Sequence, residues 1–69
     1  MSAKQYWLVT IRKERVASGG YIVETVYSYA TDKHPAESLA CNQLLDEQSE
    51  YALLFAIPIS LKQFKAMNG

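Results

Sequence analysis

The stretch from Tyr51 to Ile59, Tyr-Ala-Leu-Leu-Phe-Ala-Ile-Pro-Ile, is apolar at every position. Side chains alternate between the two faces of a strand, so a strand built from this run is apolar on both. One face needs a cover from within the chain and the other needs one from elsewhere. With 69 residues, the chain has material for one long helix and little more. A domain of this size buries only roughly 60% of the surface its unfolded chain exposes. An uncovered apolar face is therefore the first expectation.

The chain is read as one domain over 1–69, without repeats or linkers. Its 49% hydrophobic content is above that of disordered chains. Formal net charge is zero, which removes the basic excess needed for bulk capture of nucleic acid or anionic lipid. Residues 1–34 carry +2 and residues 35–69 carry −2, the asymmetry of a solvated surface. Cys41 is the only cysteine and His34 the only histidine, so neither an internal disulfide nor a Cys/His zinc site is expected. No metal or other cofactor is expected. The N-terminus lacks the apolar core of a secretory signal, and nine apolar residues are too few to span a bilayer. A cytoplasmic chain without a membrane partner is the expectation.

Tyr6 to Lys13 alternates Trp7, Val9 and Ile11 against Tyr6, Leu8 and Thr10, and predicts a strand. Ser18-Gly19-Gly20 provides for a tight reversal. Tyr21 to Thr31 predicts a second strand, rich in β-branched and aromatic residues. Glu24, in the middle of its even-numbered face, marks that face as outer. A helix over 35–47 follows, with Pro35 in its first turn, Asp32 or His34 as cap and Glu37 near its positive end. Ala36, Leu39, Ala40, Leu44 and Leu45 form its apolar stripe, and Cys41 reads as a small core hydrophobe. After the strand at 51–59, Ser60-Leu61-Lys62-Gln63 is a capping box, and Ile59 with Phe64 a hydrophobic staple, for a helix over 61–67.

The fold class predicted is α+β: a three-stranded, mainly antiparallel sheet with one helix on one face and a short C-terminal helix. Strand order 2-1-3 makes every pairing antiparallel and is preferred to 1-2-3, which contains a parallel pair. In that arrangement Trp7, Val9, Ile11, Leu53, Phe55 and Ile57 lie beneath the long helix. Tyr6, Leu8, Ile22, Val26, Ala52, Leu54 and Ala56 lie on the opposite face.

That outer face is the leading candidate site. Tyr6, Leu8, Ile22, Val26 and Leu54 are its predicted protein-interface residues, for docking on a protein partner or for a homodimer. A second candidate is a nucleic-acid contact through Arg12, Lys13 and Arg15 beside the tyrosines; Glu14 interrupts this set, and no ribonucleoprotein signature accompanies it. His34 with Glu37 is the only candidate for proton transfer, and no nucleophile, base and orienter assemble around it, so no catalytic residue and no enzyme is expected.

The layout over about residues 6–60, strand, strand, helix, strand, resembles small stand-alone proteins of bacteriophages and mobile elements, among them phage inhibitors of bacterial RNA polymerase and some anti-CRISPR proteins. The resemblance lies in the layout and carries no residue roles. It implies stoichiometric docking on a larger host protein. Zero net charge sets the chain apart from strongly acidic inhibitors and from DNA mimicry.

Overall fold

The computed structural model describes residues 4–68; residues 1–3 of the N-terminal stretch read above, and residue 69, lie outside it. Five elements follow one another: β1 (Tyr6–Val16), β2 (Ile22–Thr31), α1 (Pro35–Leu45), β3 (Ser49–Ile59) and α2 (Leu61–Met67). The strands form one antiparallel sheet in the order β2-β1-β3. No helix among the described residues is long and apolar enough to cross a membrane.

The β1–β2 hairpin is longer than its apolar residues alone require. Pairing continues from Trp7↔Thr31 through Arg12↔Val26 to Val16↔Ile22. Backbone ladder bonds carry β1 past Lys13, because charged side chains there reach water from either face. Gly19 and Gly20 close the turn with φ of +88° and +84°, a region that disfavours any residue with a Cβ. The Ala17 amide donates to Tyr21 and the Gly20 amide to Ala17. The result is an elongated body, 50 × 21 × 19 Å, with the hairpin extending along its length.

The β1–β3 ladder contains the feature that most alters the expected faces. Pairing runs from Tyr6↔Ile59 to Thr10↔Phe55 and then resumes at Ile11↔Leu53, leaving Leu54 as an extra residue. A bulge of this kind reverses the phase of the alternation on one strand. Leu53 and Tyr51 share the α1 face with Ile11 and Lys13, as do Ala56 and Pro58 on the other side of the bulge. Phe55 and Ile57 instead share the outer face with Thr10 and Leu8. The expected positions of Phe55 and Ile57 beneath the helix, and of Ala56 on the outer face, are thus exchanged. Leu54, expected on the outer face opposite the helix, has no partner on β1 and sits at the bulge, partly exposed.

Helix α1 begins as expected. Pro35 opens it, the His34 Nδ1 accepts the Ala36 amide at 3.2 Å, and the Ser38 amide donates to the His34 carbonyl. It ends at Leu45, two residues early, where Asp46 becomes the corner into β3. The face it turns to the sheet is largely polar, and of the expected apolar stripe only Leu39 is half-buried there. Pro35 and Ser38 are buried and Asn42 and Gln43 half-buried, whereas Leu44 is 73% and Leu45 87% exposed. Ala36 and Ala40 also face solvent.

Hydrogen bonds set this orientation. Tyr29 Oη lies 2.6 Å from Ser38 Oγ and accepts from Asn42 Nδ2 at 3.1 Å. The Gln43 amide donates to the Ser49 carbonyl, and its oxygen accepts the Tyr51 amide at 3.1 Å. α1 packs chiefly on β3, an edge strand whose outward backbone groups need partners. Polar side chains meet that need and leucines cannot. Cys41, likewise, is half-exposed at the helix rim, 3.7 Å from Lys33 Nζ, and is not in the core.

The fully enclosed apolar core among the described residues is small: Val9 and Ile11, both at 0% exposure. Thr10, Ser38 and Ser49 are buried with them.

Candidate interaction face

The outer face is built in cross-strand rows. Tyr6 pairs with Ile59 at one end of the sheet, followed by Ala30–Leu8–Ile57, Ser28–Thr10–Phe55 and Val26–Arg12–Ala52. The row Glu24–Glu14–Glu50 follows, and Val16–Ile22 ends the face beside the hairpin turn. Thr10 Oγ1 and Ser28 Oγ bond at 2.7 Å, which satisfies the hydroxyls of the middle row.

Helix α2 covers one end of this face. Its capping box forms as the sequence predicts: Gln63 N donates to Ser60 Oγ at 3.1 Å, and Ser60 N to Gln63 Oε1 at 2.9 Å. The Phe64 ring lies 4.6 Å from that of Tyr6, centroid to centroid. Met67 and Asn68 border an open hollow floored by Leu8, Ser28 and Ala30. Two predicted interface residues, Tyr6 and Leu8, are consequently half-buried under the chain's own helix. The other half of the face stays open, with Val26 at 55% and Ile22 at 70% exposure. Phe55, at 57%, and Ile57, at 46%, join it because of the bulge.

The three glutamates are direct cross-strand neighbours, an arrangement that is mutually repulsive. Arg12 offsets part of this, its Nε lying 3.2 Å from Glu14 Oε1, although the contact is not aligned as a hydrogen bond. Both side chains are well exposed, so the pair adds little stability. Among the described residues, no group of three or more His, Cys, Asp or Glu side chains is arranged to hold a metal ion.

The basic set divides between the faces. Arg12 lies on the outer face, while Lys13 and Arg15 share the α1 face with Tyr51 and Ser49. Lys13 Nζ is 3.4 Å from Asp46 Oδ2 and 5.8 Å from the centre of the Tyr51 ring. Asp46 also accepts from Ser49 Oγ at 2.9 Å and Tyr51 Oη at 3.2 Å. The Ser49 hydroxyl, followed by the Lys13 ammonium and the Tyr51 hydroxyl, holds the Asp46 carboxyl below its ordinary pKa. Partial burial, and then the neighbouring carboxylate, push the Tyr51 phenol up. The Asp46 hydrogen bond raises Lys13. This polar knot ties the end of α1 to β1 and β3. His34 is committed locally, its ring 5.9 Å from Trp7 in an edge-on contact and its Nδ1 capping α1.

The two sheet edges differ. On β3, Gln43 occupies the backbone at Ser49 and Tyr51, the bulge interrupts the middle at Leu54, and Pro58 lacks a donor near the end. These are established ways of preventing strand addition. β2 keeps an unbroken ten-residue register with β1, and Glu24 is its only charged residue.

The sequence reading missed the exposed pair Leu44 and Leu45 and the contribution of Phe55 and Ile57. The apolar run supplied no marker of phase from which the bulge could be located. Comparison of the chain with protein families, curated proteins and solved structures finds no match.

Proposed function

We propose that the chain is a small non-enzymatic interaction module that docks through the outer face of its sheet. The observation that carries this reading is the open apolar part of that face, where Ile22, Val26, Phe55 and Ile57 are all substantially exposed although, among the described residues, the fully enclosed apolar side chains are Val9 and Ile11. A chain that leaves more large apolar side chains outside than inside favours a second surface to cover them. The ββα β layout supports stoichiometric docking of the kind implied by its resemblance to small phage proteins. The open β2 edge lies beside the patch and adds a backbone route for a partner strand.

Val26→Asp and Phe55→Asp test the reading. Both side chains project from the sheet into solvent, so the fold is expected to survive, as judged by circular dichroism. Complexes recovered with the wild-type chain from its native cells, and self-association measured by sedimentation, should both fall at least tenfold, equivalent to about 1.4 kcal/mol or more, because a carboxylate in an apolar contact loses its hydration. Folded variants that retain all partners and the wild-type mass would refute it.

A further inference from the structure

We propose that the occupant of the outer face is a second copy of this chain, packed face to face with its strands reversed, so that each copy's α2 lies on the other's glutamate row. This rests on the docking reading above and names its partner.

The position of α2 decides the symmetry. The helix contacts β1 and β2 and covers the end of the outer face marked by Tyr6, Leu8 and Ala30. A twofold axis lying in the plane between two such faces, perpendicular to the strands, exchanges the two ends of the sheet. The partner's α2 then comes down over β1 and β2 at the opposite end, on the part of the face its counterpart leaves open. The two helices fill the layer between the sheets side by side, each at its own end.

Charge is complementary in this arrangement. The open end carries Glu14 and Glu24, two members of a row of three carboxylates offset only by Arg12. The side of α2 away from Phe64 carries Lys62, with Lys65 on its flank, both exposed and neither in an ion pair among the described residues. The repulsive row in one copy meets the unpaired cations of the other, and by symmetry the contact occurs twice. Apolar surface borders the row as well: Ile22 and Val26, 70% and 55% exposed, lie on either side of Glu24 on β2. Zero net charge imposes no overall repulsion on two copies. Three strands about 4.8 Å apart and ten residues of about 3.3 Å each make a footprint of roughly 14 by 33 Å. That is about 460 Å² in projection, which with side-chain relief reaches the low end of the area that specific interfaces bury per partner.

The test is a charge exchange read by sedimentation equilibrium. Lys62→Glu with Lys65→Glu, in one protein, sets acidic helices against the acidic row. Glu14→Lys with Glu24→Lys, in another, sets basic helices against a basic row. Each variant alone should lose self-association at least tenfold, whereas an equimolar mixture should form a heterodimer, because both of its helix–row contacts are again of opposite sign. Recovery in the mixture also shows that neither variant had simply misfolded. The wild-type dimer should weaken as salt is raised. Dimers unaffected by either exchange, as expected of pairing along the β2 edge, would overturn the proposal. So would a wild-type chain that stays monomeric at about 1 mM. The monomer result leaves docking on a foreign protein standing, and Val26→Asp tests that separately.

Discussion

Tyr29→Phe isolates the contact that turns α1 polar side down. The phenyl ring stays and only the hydroxyl goes, so packing over Val9 is unchanged. The lost atom lies 2.6 Å from Ser38 Oγ and 3.1 Å from Asn42 Nδ2. Ser38 is only 6% exposed, so its hydroxyl cannot recover a full water partner. An unsatisfied buried hydroxyl costs about 1–3 kcal/mol, and half-exposed Asn42 adds less because water reaches it. The expected loss is about 2 kcal/mol, a large share of the roughly 3–10 kcal/mol available to a chain of this length. In a domain this small it corresponds to a fall in Tm of roughly 8–16 °C. Adding Ser38→Ala removes the stranded partner, and the double variant should be more stable than the sum of the two single losses predicts, by about 1 kcal/mol. Urea unfolding at fixed protein concentration measures the cycle, since any self-association would otherwise shift the midpoints. If Tyr29→Phe costs under about 0.3 kcal/mol while Leu44→Lys or Leu45→Lys unfolds the protein, the reasoning is refuted and the apolar stripe faces the sheet.

Two further outcomes follow from local geometry. The Asp46 carboxyl has a folded pKa below its unfolded value of about 3.9, so its contribution is present above that value and is lost as pH falls through the folded one. Acid titration of stability should therefore be shallower below about pH 4 for Asp46→Asn than for the wild type, and parallel curves would remove Asp46 from the account. Ser60→Ala deletes half of the capping box and should cost about 1 kcal/mol. Hydrogen exchange should show that loss as faster exchange confined to 61–67, and global acceleration would contradict the view of α2 as a locally specified cover.

What the sequence revealed was local or periodic. The strand at 6–13, the glycine turn, the Pro35 start and the Ser60–Gln63 box each depend on residues close in the chain, and strand order 2-1-3 follows from preferring antiparallel pairs. The bulge at Leu54 was hidden because period-two reasoning needs polar residues to keep count, and 51–59 has none. Without a marker, Phe55 and Ile57 were assigned the wrong face, and with them part of the candidate site. The helix misled for another reason. Its leucines read as a stripe only if burial decides which side faces down, but α1 lies along a sheet edge where Ser49 and Tyr51 need hydrogen-bond partners. That requirement belongs to the edge, thus to tertiary structure, and nothing near Gln43 in the chain announces it. Lys13 and Arg12 are neighbours in sequence and opposites in space, because strand residues alternate, so a cluster of basic residues read along the chain did not make a patch.

A helix held by directional bonds, over a core whose fully enclosed apolar residues are Val9 and Ile11, has a thermal consequence. The heat capacity of unfolding rises with the apolar area exposed and falls with the polar area, averaging about 12–15 cal/mol/K per residue in globular proteins. The isolated chain should lie below that range, with a flat stability curve and weak cold destabilisation. Covering the outer face would add apolar area to the transition, so calorimetry would register association as a steeper, more strongly curved profile at higher protein concentration.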